Sequence, residues 1–219
     1  MDFQGEDLVI AGKWILGVGS LIDAIGQTQQ SLSGSDLGKD LIAKGNGIEA
    51  FGNSLQAIGR TKLLTPKREL STIYTILGAW LQATGNTTNA VGIDIELSGS
   101  EEEGTLVDTL GSGIQGLGAA FEAVGASLLE ESDFRNLTIL GGGFIALGSF
   151  LGSIGNIYVL NDKNVIGEQI LLVGSWFQVL GSFLLIHAVT IEFESKPPLK
   201  NENGYYPYSY HSGYSDLLV

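Results

Sequence analysis

Gly111-Ser112-Gly113-Ile114-Gln115-Gly116 has the G-x-G-x-x-G spacing of a dinucleotide-binding turn. Thr105 to Leu110 would be the preceding strand, and Glu130 falls about where a ribose-binding acid would stand. In that role the glycines let backbone N–H groups approach a pyrophosphate at a helix N-terminus. Gly111 and Gly118, however, belong to a seven-residue glycine row that also runs through segments with no such motif. The row explains the glycines without a nucleotide, so no cofactor is expected. Gly141-Gly142-Gly143 lacks the Lys-Ser/Thr that follows in a phosphate loop. His187 and His211 show no metal-ligand spacing, and His187 reads as a helix-end histidine. Glu101, Glu102 and Glu103 read as a charged helix start, because no oxygen-ligand loop surrounds them. No nucleophile, base and orienting acid can be assembled. The chain is therefore expected to have no catalytic, cofactor-binding or metal-binding residues and not to be an enzyme.

The glycine row must be set in its elements. Glycine recurs every seven residues at 12, 19 and 26, at 45, 52 and 59, and at 78, 85 and 92. It recurs again at 104, 111, 118 and 125, at 141, 148 and 155, and at 167, 174 and 181. Seven residues are about two helical turns, so each set forms a stripe on one helix. The last glycine of successive sets falls at 26, 59, 92, 125 and 155, and one further period of 33 reaches Ala188. Six repeats of 33 residues follow, with three residues missing before the fifth.

Short polar connections separate the repeats. Ser35 or Asp36 suits a helix N-cap; Thr65 with Pro66, and Ser100 with Glu103, have the spacing of helix starts. Glu131-Ser132-Asp133 and Asn161-Asp162-Lys163-Asn164 form the last two connections. Short links join antiparallel neighbours. The expected fold is all-α: six antiparallel helices, or three helical hairpins, over residues 1–194. A Pro/Tyr-rich tail over 195–219 follows; its stretch 204–214 holds five of the seven tyrosines. That tail is expected to be disordered in the free subunit and adhesive within an assembly.

With glycine at position zero, positions two, three and six are mostly large and apolar, as in Leu21, Ile22 and Ile25. Position five is small, as in Ala24, Ala57 and Ala83. Position four is polar in the first four repeats: Asp23, Glu49, Gln56, Gln82, Asn89, Gln115 and Glu122. The expected arrangement turns the apolar face inward and the polar face outward, with small residues at the helix contacts. Gly19, Gly26, Gly52, Gly59, Gly85, Gly92, Gly118, Gly125, Gly148, Gly155, Gly174 and Gly181 are the expected packing residues. Close backbone approach would offset the helix-weakening cost of a buried glycine. Trp14, Trp80 and Trp176 hold one repeat position, where the other repeats carry Gly47, Gly113 and Gly143. Each tryptophan is expected to pack over such a glycine.

In repeats five and six, position four becomes Ile145 and Leu185, although Gln178 persists. Residues 137–160 and 170–191 are long and apolar enough to span a bilayer. Their outer surface, marked by Ile145 and Leu185, is expected to meet either a second copy or lipid. Composition fits both: 44% of residues are hydrophobic and 16% charged, and mean hydropathy is +0.23. The net charge of −13 argues against nucleic acid and anionic headgroups as partners. There is no cysteine, and the acidic start, Met1 to Asp7, lacks the basic region of a secretory signal.

The segments 52–59 (GNSLQAIG), 78–85 (GAWLQATG) and 174–181 (GSWFQVLG) resemble a repetitive, functionally uncharacterised family from endospore-forming Bacillus-type bacteria. That resemblance implies a bacterial source and a cytoplasmic, spore or envelope setting, and brings no catalytic residues. The expected function is a non-enzymatic structural protein that self-associates through glycine-lined helix contacts into a homo-oligomer, filament or layer. The alternative is an integral membrane protein or pore with helices five and six in lipid.

Overall fold

The computed structural model describes residues 4–66 and 69–194. Six α-helices occupy them: α1 Gly5–Ser33, α2 Asp36–Lys62, α3 Leu70–Leu97, α4 Glu101–Ser127, α5 Asp133–Leu160 and α6 Asn164–Glu194. There is no strand among the described residues. The tail expected over 195–219 lies outside the described residues. α1 with α2, α3 with α4, and α5 with α6 form three hairpins. Each helix packs on its two sequence neighbours, and α6 returns to α1, so the hairpins close into a six-membered ring. The ring has two ends. At the hairpin end the turns are only two or three residues long, and each has one left-handed residue: Gly34 (φ 62°), Gly99 (φ 100°) or Asp162 (φ 59°). Glycine takes that conformation without a Cβ penalty, and aspartate tolerates it better than most residues. The opposite end holds the start of α1, the end of α6, the end of α2 with the start of α3, and the link α4–α5.

Helix starts differ in part from expectation. Ser132 caps α5, its hydroxyl accepting from the Arg135 N–H at 3.2 Å. Ser35 and Ser100 stand at N-cap positions but accept no such bond, so the box of Ser100 with Glu103 is not formed. Thr65 and Pro66 do not start α3; Glu69 is its N-cap. Gln4 stands at the N-cap of α1, its N–H donating to Asp7 Oδ2 at 3.2 Å.

The seven-residue rows interlock within each hairpin. A Cβ placed on Gly52 would lie 2.7 Å from the Gly12 carbonyl oxygen, and one on Gly19 would lie 2.9 Å from that of Gly45. The same exchange pairs Gly78 with Gly118, Gly85 with Gly111, Gly141 with Gly181, and Gly148 with Gly174. Gly26 meets Gly38, Gly59 meets Gly5, Gly92 meets Gly104, Gly125 meets Ser71 and Gly155 meets Gly167. Every step of seven down one helix is answered by a step of seven up its partner.

This register overturns the expected orientation of the faces. With glycine against the hairpin partner, position four lies about 40° round the helix and position one about 100°. Both turn towards the ring axis. Positions two and six, at about 200° and 240°, turn outward. Gln56, Gln82, Gln115, Glu49 and Glu122 are accordingly buried, while Leu21, Ile25, Leu77 and Val124 are exposed. Trp14, Trp80 and Trp176 are 53%, 45% and 45% exposed. They lie on the outer surface, where Trp176 Nε1 donates to Thr28 Oγ1 at 3.2 Å, and do not pack over those glycines: nothing lies within 4 Å of a Cβ added to Gly47 or Gly143, and one on Gly113 meets Ser153. Ile145 and Leu185, expected on an outer assembly surface, are each 1% exposed. They occupy the inward position four and pack with Leu16, Ala119 and Ala146 inside the ring.

Candidate functional site: a polar axis through the ring

The inward positions build a column of polar side chains. Position four contributes Asp23, Glu49, Gln56, Gln82, Asn89, Gln115, Glu122 and Gln178. Position one adds residues that the spacing analysis missed. Lys13, Ser20, Asn46, Asn53, Asn86, Ser112, Ser149, Asn156, Ser175 and Ser182 each follow a glycine of the row, and all are buried. The signal was present as a recurring Gly-Asn or Gly-Ser pair: the residue beside an interface glycine must face the axis.

At the terminal end the charges are matched. Lys13 Nζ of α1 donates to Glu122 Oε1 of α4 at 2.5 Å, with both side chains almost fully buried. α1 and α4 stand opposite one another in the ring, so this ion pair crosses the axis. Gln82 donates to the other oxygen of Glu122 at 3.2 Å. Arg60 of α2 grips Glu192 of α6 with two bonds of 2.5 Å and lies over the Phe193 ring. Beside the crossing pair, Leu16, Ile145 and Leu185 fill the side of the axis belonging to α1, α5 and α6.

Midway, amides replace cations. Gln115 Nε2 donates to Glu49 Oε2 (3.3 Å) and to Gln178 Oε1 (2.8 Å), joining α2, α4 and α6. Asn89 Nδ2 donates to Asn46 Oδ1 at 3.1 Å, and Asn46 Nδ2 donates to Asp23 Oδ1 at 2.9 Å. Gln56 donates to Asn53 Oδ1 at 3.1 Å. Asn53 Nδ2, Gln82 Oε1, Asn89 Oδ1 and both polar atoms of Asn86 have no hydrogen-bond partner. Asn86 is fully buried, its amide beside Glu49 but outside good hydrogen-bond geometry.

At the hairpin end the axis opens into a cavity of about 190 Å³ lined by all six helices. Glu96, Glu101, Asp108 and Glu168 face it, against one cation, Lys39. Lys39 pairs with Glu96 at 2.8 Å and approaches Glu101 at 3.8 Å. Asn156 donates to Asp108 at 2.7 Å, and Gln27 donates to Glu168 at 2.8 Å.

The other motifs do not enter this site as motifs. Gly111 to Gly116 lie within the continuous helix α4, with no strand or turn before them. Glu130 is exposed in the link after α4, and His187 is exposed on the outside of α6. His211 lies outside the described residues. Among the described residues no three His, Cys, Asp or Glu side chains stand close enough together to hold a metal ion.

A family model described as "Family of unknown function (DUF6944)" matches residues 7–186. No curated protein and no solved structure matches the chain.

Proposed function

We propose that this chain, which belongs to that family of unknown function, is an integral membrane protein: six membrane-spanning helices with lipid outside and a polar, solute-binding axis inside. One observation carries the reading: polarity runs the wrong way for a protein in water. Large apolar side chains are exposed on the outer face of every helix, including Val18, Phe51, Trp80, Leu117, Leu147 and Phe183. On α1, α4 and α5, every exposed charged side chain is confined to the first turn. On α2 and α3, Lys44 and Asp94 lie about two turns or less from the hairpin end, within reach of an interface by snorkelling. Soluble monomers seldom expose apolar patches beyond a few hundred Å².

Length agrees with this reading. Helices of 27 to 31 residues extend about 40–46 Å at 1.5 Å per residue, enough to cross a hydrocarbon core of about 30 Å. α1, α5 and α6 are each long and apolar enough to span a membrane by length and composition. α2, α3 and α4 supply most of the axial amides and carboxylates, which lowers their hydropathy while their outer faces stay apolar. Glycine-lined contacts suit helices in lipid, where close packing replaces the hydrophobic drive to associate.

The test uses the outward tryptophans. Protein expressed in bacterial cells should stay in the membrane pellet after alkaline carbonate washing. In vesicles of brominated phosphatidylcholine, Trp14, Trp80 and Trp176 fluorescence should be quenched. A protein that enters the wash and runs as a monomer without detergent overturns the reading. The same outer face also supports a second reading, self-association, with neighbouring copies in place of lipid. Large particles in detergent-free buffer, with no quenching by brominated lipid, would favour it.

A further inference from the structure

We propose that the ring stands in the membrane with its terminal end in the cytoplasm and its hairpin end outside, so that the axial cavity takes its solute from the external medium. This orientation rests on the membrane reading above and gives it a direction. The distribution of basic residues is the first argument. The segments that join the helices at both ends are short, and in short flanking segments lysine and arginine collect on the cytoplasmic side. At the terminal end Arg60 and Lys62 lie in the last turn of α2, and Lys67 and Arg68 follow before α3 begins. Arg135 lies in the first turn of α5, and Lys196 and Lys200 follow α6 in the sequence. The hairpin end has Lys39 and Lys44 early in α2 and Lys163 before α6; the turn between α3 and α4 leads into Glu101, Glu102 and Glu103. The eleventh basic residue, Lys13, is inside the axis. The bias is seven to three. Setting aside Arg60, which is paired with Glu192, leaves it two to one.

The physical cause is the membrane potential, negative inside, which opposes carrying a fixed positive charge outward. Acidic residues have little influence on the choice, so the overall charge of −13 does not reverse it. The two ends of the axis give the orientation its meaning. The cavity of about 190 Å³ lies at the hairpin end, and two of its lining residues, Glu101 and Asn164, are exposed at its rim. Towards the terminal end, Leu16, Ile145 and Leu185 and the crossing Lys13–Glu122 pair fill the axis. With the basic end inside the cell, the open end of the axis faces out and the filled end faces in. The ring in this state is a pocket for an external solute, shut on the cytoplasmic side.

The chain has no cysteine, so single-cysteine variants report the two ends. Ser98→Cys in the α3–α4 turn and Asn164→Cys at the cavity rim mark the hairpin end. Thr65→Cys in the α2–α3 link and Ser127→Cys at the end of α4 mark the terminal end. All four positions are exposed, and none of the substitutions changes the charge. Each full-length variant is expressed in bacterial cells, and spheroplasts are treated with a membrane-impermeant maleimide before or after permeabilisation. Ser98→Cys and Asn164→Cys should label fully in intact spheroplasts, with no gain on permeabilisation. Thr65→Cys and Ser127→Cys should label only after it. Two positions at each end keep the reading when one variant fails to fold. Carbonate washing separates this inference from the reading beneath it: protein released by the wash defeats the membrane reading and the orientation with it. In protein that stays in the washed membrane, the reverse pattern overturns the orientation alone. So does equal labelling of both ends, or labelling of neither before permeabilisation.

Discussion

Two kinds of seam hold the ring together. Inside a hairpin, backbone meets backbone: a Cβ on Gly118 would lie 2.6 Å from both the Gly78 carbonyl oxygen and the Gln82 nitrogen. Between hairpins the approach is wider or meets the far end of a side chain: a Cβ on Gly142 would lie 3.1 Å from the Ala119 carbonyl oxygen. A Cβ on Gly116 would lie 2.8 Å from the Phe150 ring, and one on Gly17 would lie 2.7 Å from the Ile186 Cδ1. A peptide group fixed in a helical ladder cannot step aside, whereas a ring or a methyl can rotate. The difference teaches that the hairpin is the rigid unit and the ring an assembly of three such units along adjustable seams. The 33-residue repeat supplies one helix of a hairpin, so it takes two repeats to make a rigid piece.

The largest effect should therefore come from crowding a hairpin seam. Gly118→Leu and Gly52→Leu should each cost about 3 kcal/mol or more, at or above the usual range for overpacking, read from thermal or denaturant melts in detergent. A loss under about 1 kcal/mol in either would mean that the backbones can part.

Next in size stands the axis. Gln56 is buried and donates to Asn53 Oδ1. Gln56→Leu leaves that oxygen without its donor, and an unsatisfied buried polar group costs about 1–3 kcal/mol. A neutral outcome in the same melts would place Gln56 against solvent or lipid rather than in the column.

How far the sequence reveals this molecule follows from the same two directions. The seven-residue spacing and the 33-residue period report helix number, antiparallel order and the contact stripe, because these depend only on helix geometry. They do not report which of the two remaining faces is inside. Amphipathicity gives an axis from Asp23 to Leu21 but no arrow along it; the arrow is set by the medium around the protein. Turning the apolar face inward put Gln56, Gln82 and Gln115 on the wrong side; they are buried. It also placed Ile145 and Leu185 on the surface, when their position-four register puts them at the centre. The corrective signal was local. Gly52-Asn53, Gly85-Asn86 and Gly155-Asn156 put a polar residue next to an interface glycine, where only the axis is available. The Lys13–Glu122 pair, by contrast, joins residues 109 positions apart, and no local spacing announces it.

A seam between hairpins should tolerate what a seam within one does not. Gly116→Ala brings a methyl onto Phe150, whose ring is 38% exposed and free to turn outward. Alanine also favours the helix over glycine by about 0.5–1 kcal/mol. The two effects oppose, so stability should change by less than about 1 kcal/mol. Gly118→Ala, two residues away but within the hairpin, should lose clearly more. Equal losses in a side-by-side melt would erase the distinction between the seams.

The smallest effect, and the only expected gain, belongs to the outer surface. Gly47 and Gly143 are exposed, helical, and have nothing within 4 Å of an added Cβ. No contact offsets their conformational cost. Gly47→Ala and Gly143→Ala should each stabilise the fold by about 0.5–1 kcal/mol, seen as a small rise in melting temperature with unchanged helical content. The outcome bears on Trp14, Trp80 and Trp176. If a tryptophan packed over these glycines, as the repeat register first suggests, a methyl would push the ring away and stability would fall. With the rings on the outside instead, the methyl adds only helix propensity. A fall in both variants would mean that another molecule, a second copy or a tightly held lipid, occupies the space above Gly47 and Gly143.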